Sequence, residues 1–111
     1  MVMKDLIMIF ADAINRRQKM MVNFKAKGDG PVLLRRCAPL DMAPSKRAKT
    51  PRFKFHFWDF DSSKQNHVLS LDSEQIIEVY IIEEIFRPEG FINWDTATSP
   101  WFIVRDWGLY S

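Results

Sequence analysis

The sequence predicts a mainly β fold with one N-terminal helix: a small antiparallel β-barrel, or strongly curved sheet, of about five strands plus a C-terminal extension. Three observations lead to this prediction. Apolar residues recur at spacings of three and four near the N-terminus, apolar and polar residues alternate along several later segments, and turn residues separate those segments. The 111 residues, 47% of them hydrophobic and 27% charged, suffice for one compact domain and not for two.

The first third of the chain is predicted to form a helix and a β-hairpin. The helix covers residues 5–17, and its apolar stripe consists of Leu6, Ile9, Phe10, Ala13 and Ile14. A period of two then predicts a strand over 19–25. The turn signal GDGP follows at residues 28–31, because glycine supplies positive φ and proline cannot donate to a strand ladder. The returning strand is predicted to end at Pro39.

The rest of the chain is predicted to be β-rich. The expected elements are a basic loop over residues 40–51 and strands over residues 52–60, 67–71, 76–86 and 101–107. We assign residues 1–79 to the barrel with its helix and residues 80–111 to the C-terminal extension of the same compact unit. The tryptophans of this extension are predicted to pack, or to form an oligomer contact, because four tryptophans exceed what so small a core needs.

Composition excludes several classes of protein. No apolar run reaches the roughly 18–20 residues that span a bilayer, so we expect no membrane protein. The N-terminus lacks the pattern of a secretory signal. Cys37 is the single cysteine, which excludes an internal disulfide and any multi-cysteine zinc site. A cytoplasmic location is therefore expected.

Charge is distributed unevenly along the chain. Residues 16–54 hold 12 of the 16 lysines and arginines and only two acidic residues, Asp29 and Asp41. The remainder is acidic. Two interpretations stay open: a basic surface that pairs with an acidic one within the fold or between subunits, or a site for phosphate-bearing partners.

The strand over 52–60 carries the candidate binding residues. Lys54, His56 and Trp58 alternate along it, so they are predicted to share one face. A regular hairpin would place His67 nearly opposite His56 on that face, where the pair would bind an anion or remain two exposed imidazoles. Trp58 would either stack on a nucleic-acid base beside positive charge or pack within the protein.

Signatures of catalysis are sparse. The chain has no glycine-rich phosphate loop, no HExxH and no GxSxG. Cys37 with a histidine would formally make a nucleophile and base, but a lone cysteine on a strand is more often a core residue. Asp59 and Asp61 form a D-x-D that either holds Mg²⁺ or serves the turn. We expect no enzyme, no cofactor and no metal.

The segment from Ala13 to Val79 resembles a WYL domain, a family named for a Trp-Tyr-Leu motif. The matching segments are, in chain order, INRR (14–17), VNF (22–24), RRCAPL (35–40), FHFWDFD (55–61), VLSLD (68–72) and IIEV (76–79). Phe-His-Phe stands in place of Trp-Tyr-Leu, so His56 takes the position that the family turns toward its ligand. His67 and Gln75 stand where the family usually has arginines.

The resemblance implies an Sm-like small β-barrel of five strands. It also implies a sensing domain that binds a negatively charged ligand, such as a nucleotide or nucleic acid, in bacterial transcription regulation or in CRISPR-linked and phage defence. The predicted helix is too short for a helix-turn-helix, so a DNA-reading domain is not expected in this chain.

Three functional hypotheses follow. The first is a non-enzymatic regulatory domain that binds an anionic ligand or single-stranded nucleic acid. Its predicted binding residues are Arg35, Arg36, Arg52, Lys54, His56, Trp58 and His67. The second is a protein-interaction module, a homodimer through the C-terminal extension being the expected form. The third is a small enzyme that would rest on Asp59, Asp61 and the two histidines.

Overall fold

The fold is mainly β, with one N-terminal helix and five antiparallel strands in a single sheet, as the sequence predicts. The structure is a computed structural model, and it describes residues 2–44, 53–63, 67–98 and 100–111. Its main elements are α1 (Met3–Arg16), β1 (Gln18–Lys25), β2 (Val32–Pro44), β3 (Phe53–Asp59), β4 (Val68–Asp72) and β5 (Ile76–Ile85). Three short 3₁₀ helices follow β4, β5 and the last loop, at Ser73–Gln75, Pro88–Gly90 and Gly108–Tyr110.

The strands follow the order β4-β3-β2-β1-β5. The first four form a meander, and β5 returns to pair with β1. The sheet curves strongly, because its two edge strands, β4 and β5, are joined by only the three residues Ser73–Gln75 and therefore lie close together at this connection. Closure of this curved sheet into a barrel stays a prediction.

The helix covers the inner face of the sheet through its apolar stripe. Leu6, Phe10, Ala13 and Ile14 of α1 are buried. The Phe10 ring packs edge-on against Phe55 and Phe57 of β3, with centroid distances of 5.2 and 5.3 Å. Because alternate residues of β3 point inward, Lys54, His56 and Trp58 lie on its outer face. The predicted sharing of one face by these three residues is confirmed.

The prediction that Pro39 ends the second strand is wrong. β2 continues to Pro44, and Pro39 pairs with Phe57 of β3. Pairing with β1 ends at Cys37, and the register toward β3 shifts after Pro39. A proline without an N–H is tolerated at such an irregular, half-paired position. The first five residues of the predicted basic loop are therefore strand, and its remainder, residues 45–51, lies outside the described residues.

The predicted strand over 101–107 is also wrong. We call residues 86–111 the C-terminal segment, and its described residues 91–98 and 100–107 are irregular, ahead of the last 3₁₀ helix. The backbone N–H groups of Phe102 and Ile103 donate to the carboxylate of Asp41 on β2 instead of to a neighbouring strand. β5 itself extends to Ile85, past the boundary predicted at residue 79. The described residues of the segment thus add a covering layer to the sheet and no sixth strand.

Candidate functional site: a cavity beside the edge strand

A cavity lies between edge strand β4 and the turn that joins β1 to β2; we call it the β4 cavity. Its volume is about 360 Å³. Aliphatic and aromatic side chains form one wall, namely Phe24, Leu33, Leu69 and Leu71. The polar side chains at the cavity include Lys27, Arg35, Asp59, His67, Ser70 and Gln75. An apolar wall with a few polar groups is the usual composition of a small-molecule site.

The β1–β2 turn brings Lys27 to this cavity. Gly28 has a φ of 67°, which glycine adopts without strain. A Cβ on Gly30 would lie 2.6 Å from the Ala26 Cβ, so the tight turn requires glycine there as well. The Ala26 N–H donates to the Pro31 carbonyl oxygen at 2.9 Å and closes the turn. The sequence signal for this turn was clear, but it gave no reason to select Lys27 as a binding residue.

Arg35 enters the cavity from β2. Its Nη1 donates to the Asp61 carbonyl oxygen at 2.9 Å, and its Nε lies 3.9 Å from an Asp59 carboxylate oxygen. Its side chain remains 31% exposed. A guanidinium carries five N–H donors in a planar fork, so these contacts leave donors for a ligand. Arg35 is therefore positioned by the protein and still able to bind an anion.

His67 lies on the same cavity just before β4. Its Nδ1 is 2.8 Å from the Asp59 carbonyl oxygen, which accepts only, so Nδ1 carries the proton. The other ring nitrogen, Nε2, then accepts a hydrogen bond when the ring is neutral and donates one when it is protonated. The ring stacks on Trp58 at a centroid distance of 5.0 Å. Its orientation is thus fixed from two sides.

The predicted pairing of His56 with His67 is wrong. His56 pairs with Ser70 of β4, and its Nδ1 lies 2.7 Å from the Ser70 hydroxyl oxygen. The residue that aligns with His67 is Asp59, whose N–H donates to the His67 carbonyl oxygen at 2.8 Å. The register is therefore three residues away from the symmetric hairpin that the sequence suggested. An odd shift moves a side chain to the other face of a sheet, so the histidines do not form one patch.

The C-terminal segment covers part of the outer face of β3. Phe91 stacks on Trp58 at a centroid distance of 5.1 Å, so Trp58 contacts two rings of its own protein. His56 is half-buried, and burial lowers the pKa of its imidazole below the usual 6.5, with a smaller opposing effect from Asp41. Lys54 lies further along the same face. None of these three side chains lines the β4 cavity.

The other two predicted arginines lie elsewhere or outside the description. Arg36 is adjacent to Arg35 in β2 and so points to the opposite face of that strand. Its Nε lies 3.5 Å from a Glu84 carboxylate oxygen of β5, and Lys19 approaches the same carboxylate at 3.8 Å. Arg52 lies outside the described residues. Of the seven predicted residues, Arg35 and His67 are thus brought to one cavity.

Gln75 closes one end of the β4 cavity. Its Oε1 accepts from the Asp72 N–H at 3.0 Å while its Nε2 reaches Lys25 of β1. Asp72 and Gln75 form a reciprocal capping box around the 3₁₀ helix. The D-x-x-Q spacing is the signal in the sequence that identifies this role.

The geometry does not favour nucleophilic or metal chemistry. Cys37 is buried, and burial, reinforced by Asp59, raises the pKa of its thiol well above its usual value. Asp59 and Asp61 are occupied by the turn, since Oδ1 of Asp59 accepts the Asp61 N–H and Oδ2 of Asp61 accepts the Arg36 N–H. Within the described ranges, no group of three histidine, cysteine or acidic residues has the arrangement of a metal site.

A second arginine and aspartate meet beneath the C-terminal segment, and sequence reasoning missed them. The Arg105 side chain is fully buried, with Nη2 3.3 Å from an Asp41 carboxylate oxygen. It also donates to the carbonyl oxygens of Leu40 and Ile103. Its guanidinium lies over the rings of Trp101 and Trp107, at 3.9 and 4.4 Å. This pair fastens the segment to β2.

Comparison of the chain with protein-family models, curated proteins and solved structures found no match. The resemblance to WYL domains therefore stays a prediction. In the described part of the chain, no helix has both the length and the apolar character needed to cross a bilayer.

Proposed function

We propose that this protein is a non-enzymatic regulatory domain that binds a small negatively charged ligand, such as a nucleotide, in the β4 cavity. One observation carries the proposal: Arg35, His67 and Lys27 line a single cavity whose remaining wall is largely apolar. Such a site suits a ligand with an anionic group and an apolar or planar body. We place this role in the bacterial cytoplasm, in transcription regulation or defence, as the WYL resemblance implies.

The proposed roles of the three basic residues differ. Arg35 would hold an anionic oxygen through its remaining donors, because a guanidinium fork matches carboxylate and phosphate geometry. Nε2 of His67 would donate to the same group when protonated, and Lys27 would contribute a point charge from the turn. Asp59 offsets part of this charge, since its carboxylate lies 3.9 Å from Arg35 Nε.

The test is a tryptophan-fluorescence titration with cyclic mononucleotides and short single-stranded oligonucleotides at about 50 and about 200 mM salt. Trp58 reports on the site because its ring stacks on His67. Affinity should fall as salt rises, and Arg35→Gln and His67→Gln should each weaken binding by about tenfold or more. Arg36→Gln is the matched control, since it removes the same charge from the opposite face of β2. Absence of binding at the lower salt concentration would overturn the proposal.

Assembly is the alternative function, and a specific observation supports it. The C-terminal segment exposes large apolar side chains: Phe102 is 56%, Val104 87% and Leu109 93% exposed. Large exposed apolar residues that lie close together in the sequence are typical of a protein–protein contact surface. Native mass spectrometry over a range of concentrations tests this alternative. A dimer that Val104→Ser and Leu109→Ser convert to a monomer would support it, whereas a concentration-independent monomer would exclude it.

A further inference from the structure

A second cavity lies where α1 and β5 both end. Its volume is about 440 Å³, and three arginines line it together with Ile85, Phe86 and Glu89. We call Arg16, Arg17 and Arg87 the arginine cleft. The chain brings them together because the Phe86 N–H donates to the Arg17 carbonyl oxygen at 2.9 Å. The cleft shares no residue with the β4 cavity.

The charge of the arginine cleft is only partly compensated. Arg16 forms an ion pair with Asp12 one helical turn earlier, at 3.1 Å, and both side chains are more than half exposed. Arg17 and Arg87 form no ion pair with any residue in the described ranges. Glu89 is the one acidic residue in the lining. The three arginines against Asp12 and Glu89 leave one excess positive charge, which attracts anions.

The backbone of Arg17 supports a binding role. Arg17 terminates α1 with a φ of 52°, in the left-handed region, and it is the one non-glycine residue with positive φ in the described chain. Glycine is the usual residue at such a helix end, because a side chain is strained there. An arginine at this position gives up local stability. Residues that break a local rule in this way are concentrated at functional sites.

We propose that the arginine cleft binds the phosphoryl group of a phosphorylated small molecule. Planar guanidinium forks bind phosphate oxygens through paired, charge-assisted hydrogen bonds, and three of them surround this one cavity. The neighbouring cavity of about 390 Å³ shares Ile85, Phe86 and Arg87 with the cleft and adds aromatic residues, including Phe60. A ligand with a planar body attached to its phosphates would extend in that direction. The proposal stands independently of the function assigned to the β4 cavity.

The experiment measures binding by isothermal titration calorimetry with two probes, inorganic pyrophosphate and adenosine diphosphate, at about 50 mM salt. Arg17→Gly is the decisive variant. It removes the guanidinium and relieves the backbone strain, so its unfolding midpoint should equal or exceed that of the unsubstituted chain while its affinity for both probes falls about tenfold or more. Arg87→Gln should weaken binding by a similar factor without changing the backbone at the helix end.

Two controls separate the cleft from other sources of binding. Lys4→Gln removes one exposed positive charge from the other end of α1 and should leave affinity unchanged. Arg35→Gln disables the β4 cavity, so pyrophosphate binding that persists in this variant and is weakened when Arg17→Gly is added belongs to the cleft. If Arg35→Gln abolishes binding and Arg17→Gly does not, the β4 cavity holds the phosphate and the cleft proposal is overturned. It is overturned as well if pyrophosphate does not bind, or if Lys4→Gln weakens binding as much as Arg17→Gly.

The two probes distinguish the source of the phosphoryl group. Equal affinities for pyrophosphate and adenosine diphosphate support a cleft that recognises phosphate alone. Tighter binding of adenosine diphosphate supports a nucleotide whose base lies over the neighbouring cavity, and Phe60→Leu should then remove the difference. The cleft proposal is contradicted if adenosine diphosphate binds more weakly than pyrophosphate and Arg17→Gly changes the affinity for neither probe.

Discussion

Two arginine–aspartate pairs in this molecule, Arg105 with Asp41 and Arg35 with Asp59, join residues far apart in the chain, and they differ in their surroundings. Arg105 is fully buried, its aspartate also accepts three backbone N–H groups, and two tryptophan rings cover its guanidinium. Arg35 is 31% exposed, lies 3.9 Å from its aspartate and lines an open cavity. The first pair is fully occupied by contacts within the protein. The second has donors left for a ligand.

Burial and the number of occupied donors distinguish a structural arginine from a binding arginine when neither lies in a sequence motif. A buried ion pair is stable only when its remaining donors and acceptors also form hydrogen bonds. Arg105 and Asp41 meet this condition. A partly exposed arginine is held in place by few contacts and still meets solvent. The sequence predicts Arg35 as a binding residue because it lies in the basic part of the chain, but it gives no signal for the structural role of Arg105, which lies in an acidic part.

The largest loss of folding stability is expected from Arg105→Met. The substitution keeps much of the side-chain volume but leaves the Asp41 carboxylate buried without its cation, which should lower the free energy of unfolding by about 3–5 kcal/mol. Denaturant unfolding followed by circular dichroism measures it. Arg36→Met is the matched control, because its partner Glu84 is exposed and such pairs contribute at most about 1 kcal/mol. Equal losses for the two variants would show that Arg105 is no more structural than a surface arginine.

The fold was more predictable than the site for a physical reason. Alternation in the strands and the helical stripe are local signals, and they correctly indicated α1, β3 and β5. The register of β3 and β4 depends on the hairpin between them, and an error of three residues there moved His67 away from His56. Contacts such as that between Arg105 and Asp41 join residues 64 positions apart, and no local pattern encodes them.

An intermediate effect is expected from Trp107→Phe. The Trp107 Nε1 donates to the Ile14 carbonyl oxygen at 2.8 Å in a buried position and connects the C-terminal segment to the end of α1. Phenylalanine retains an aromatic ring but removes this buried hydrogen bond, while the Ile14 carbonyl keeps the bond from the Arg17 N–H, so the free energy of unfolding should fall by about 0.5–1.5 kcal/mol. Thermal unfolding provides the measurement. Trp101→Phe serves as the comparison, since the Trp101 Nε1 donates to the Tyr110 carbonyl oxygen. A greater loss of stability in Trp101→Phe than in Trp107→Phe would contradict the prediction.

A smaller effect, dependent on pH, is expected at His56 on the covered face. Its pKa in the folded protein lies below 6.5, so between these two values the unfolded chain binds more protons than the folded one. Stability should therefore increase as pH rises through this window and be lost as pH falls below 6.5. His56→Gln should flatten that part of the profile of unfolding free energy against pH. An NMR titration that gives His56 a pKa above 6.5 would contradict the prediction.

The smallest effect on stability is expected from Arg35→Gln, although the same variant should have the largest effect on ligand binding. The pair with Asp59 is long at 3.9 Å and partly exposed, so its loss should change the free energy of unfolding by about 1 kcal/mol or less. Glutamine can still donate toward the Asp61 carbonyl, which limits the disturbance of the turn. Denaturant unfolding and the nucleotide titration on the same sample separate the two roles. A loss of stability comparable to that of Arg105→Met, without a change in affinity, would make Arg35 a structural residue and the two pairs equivalent.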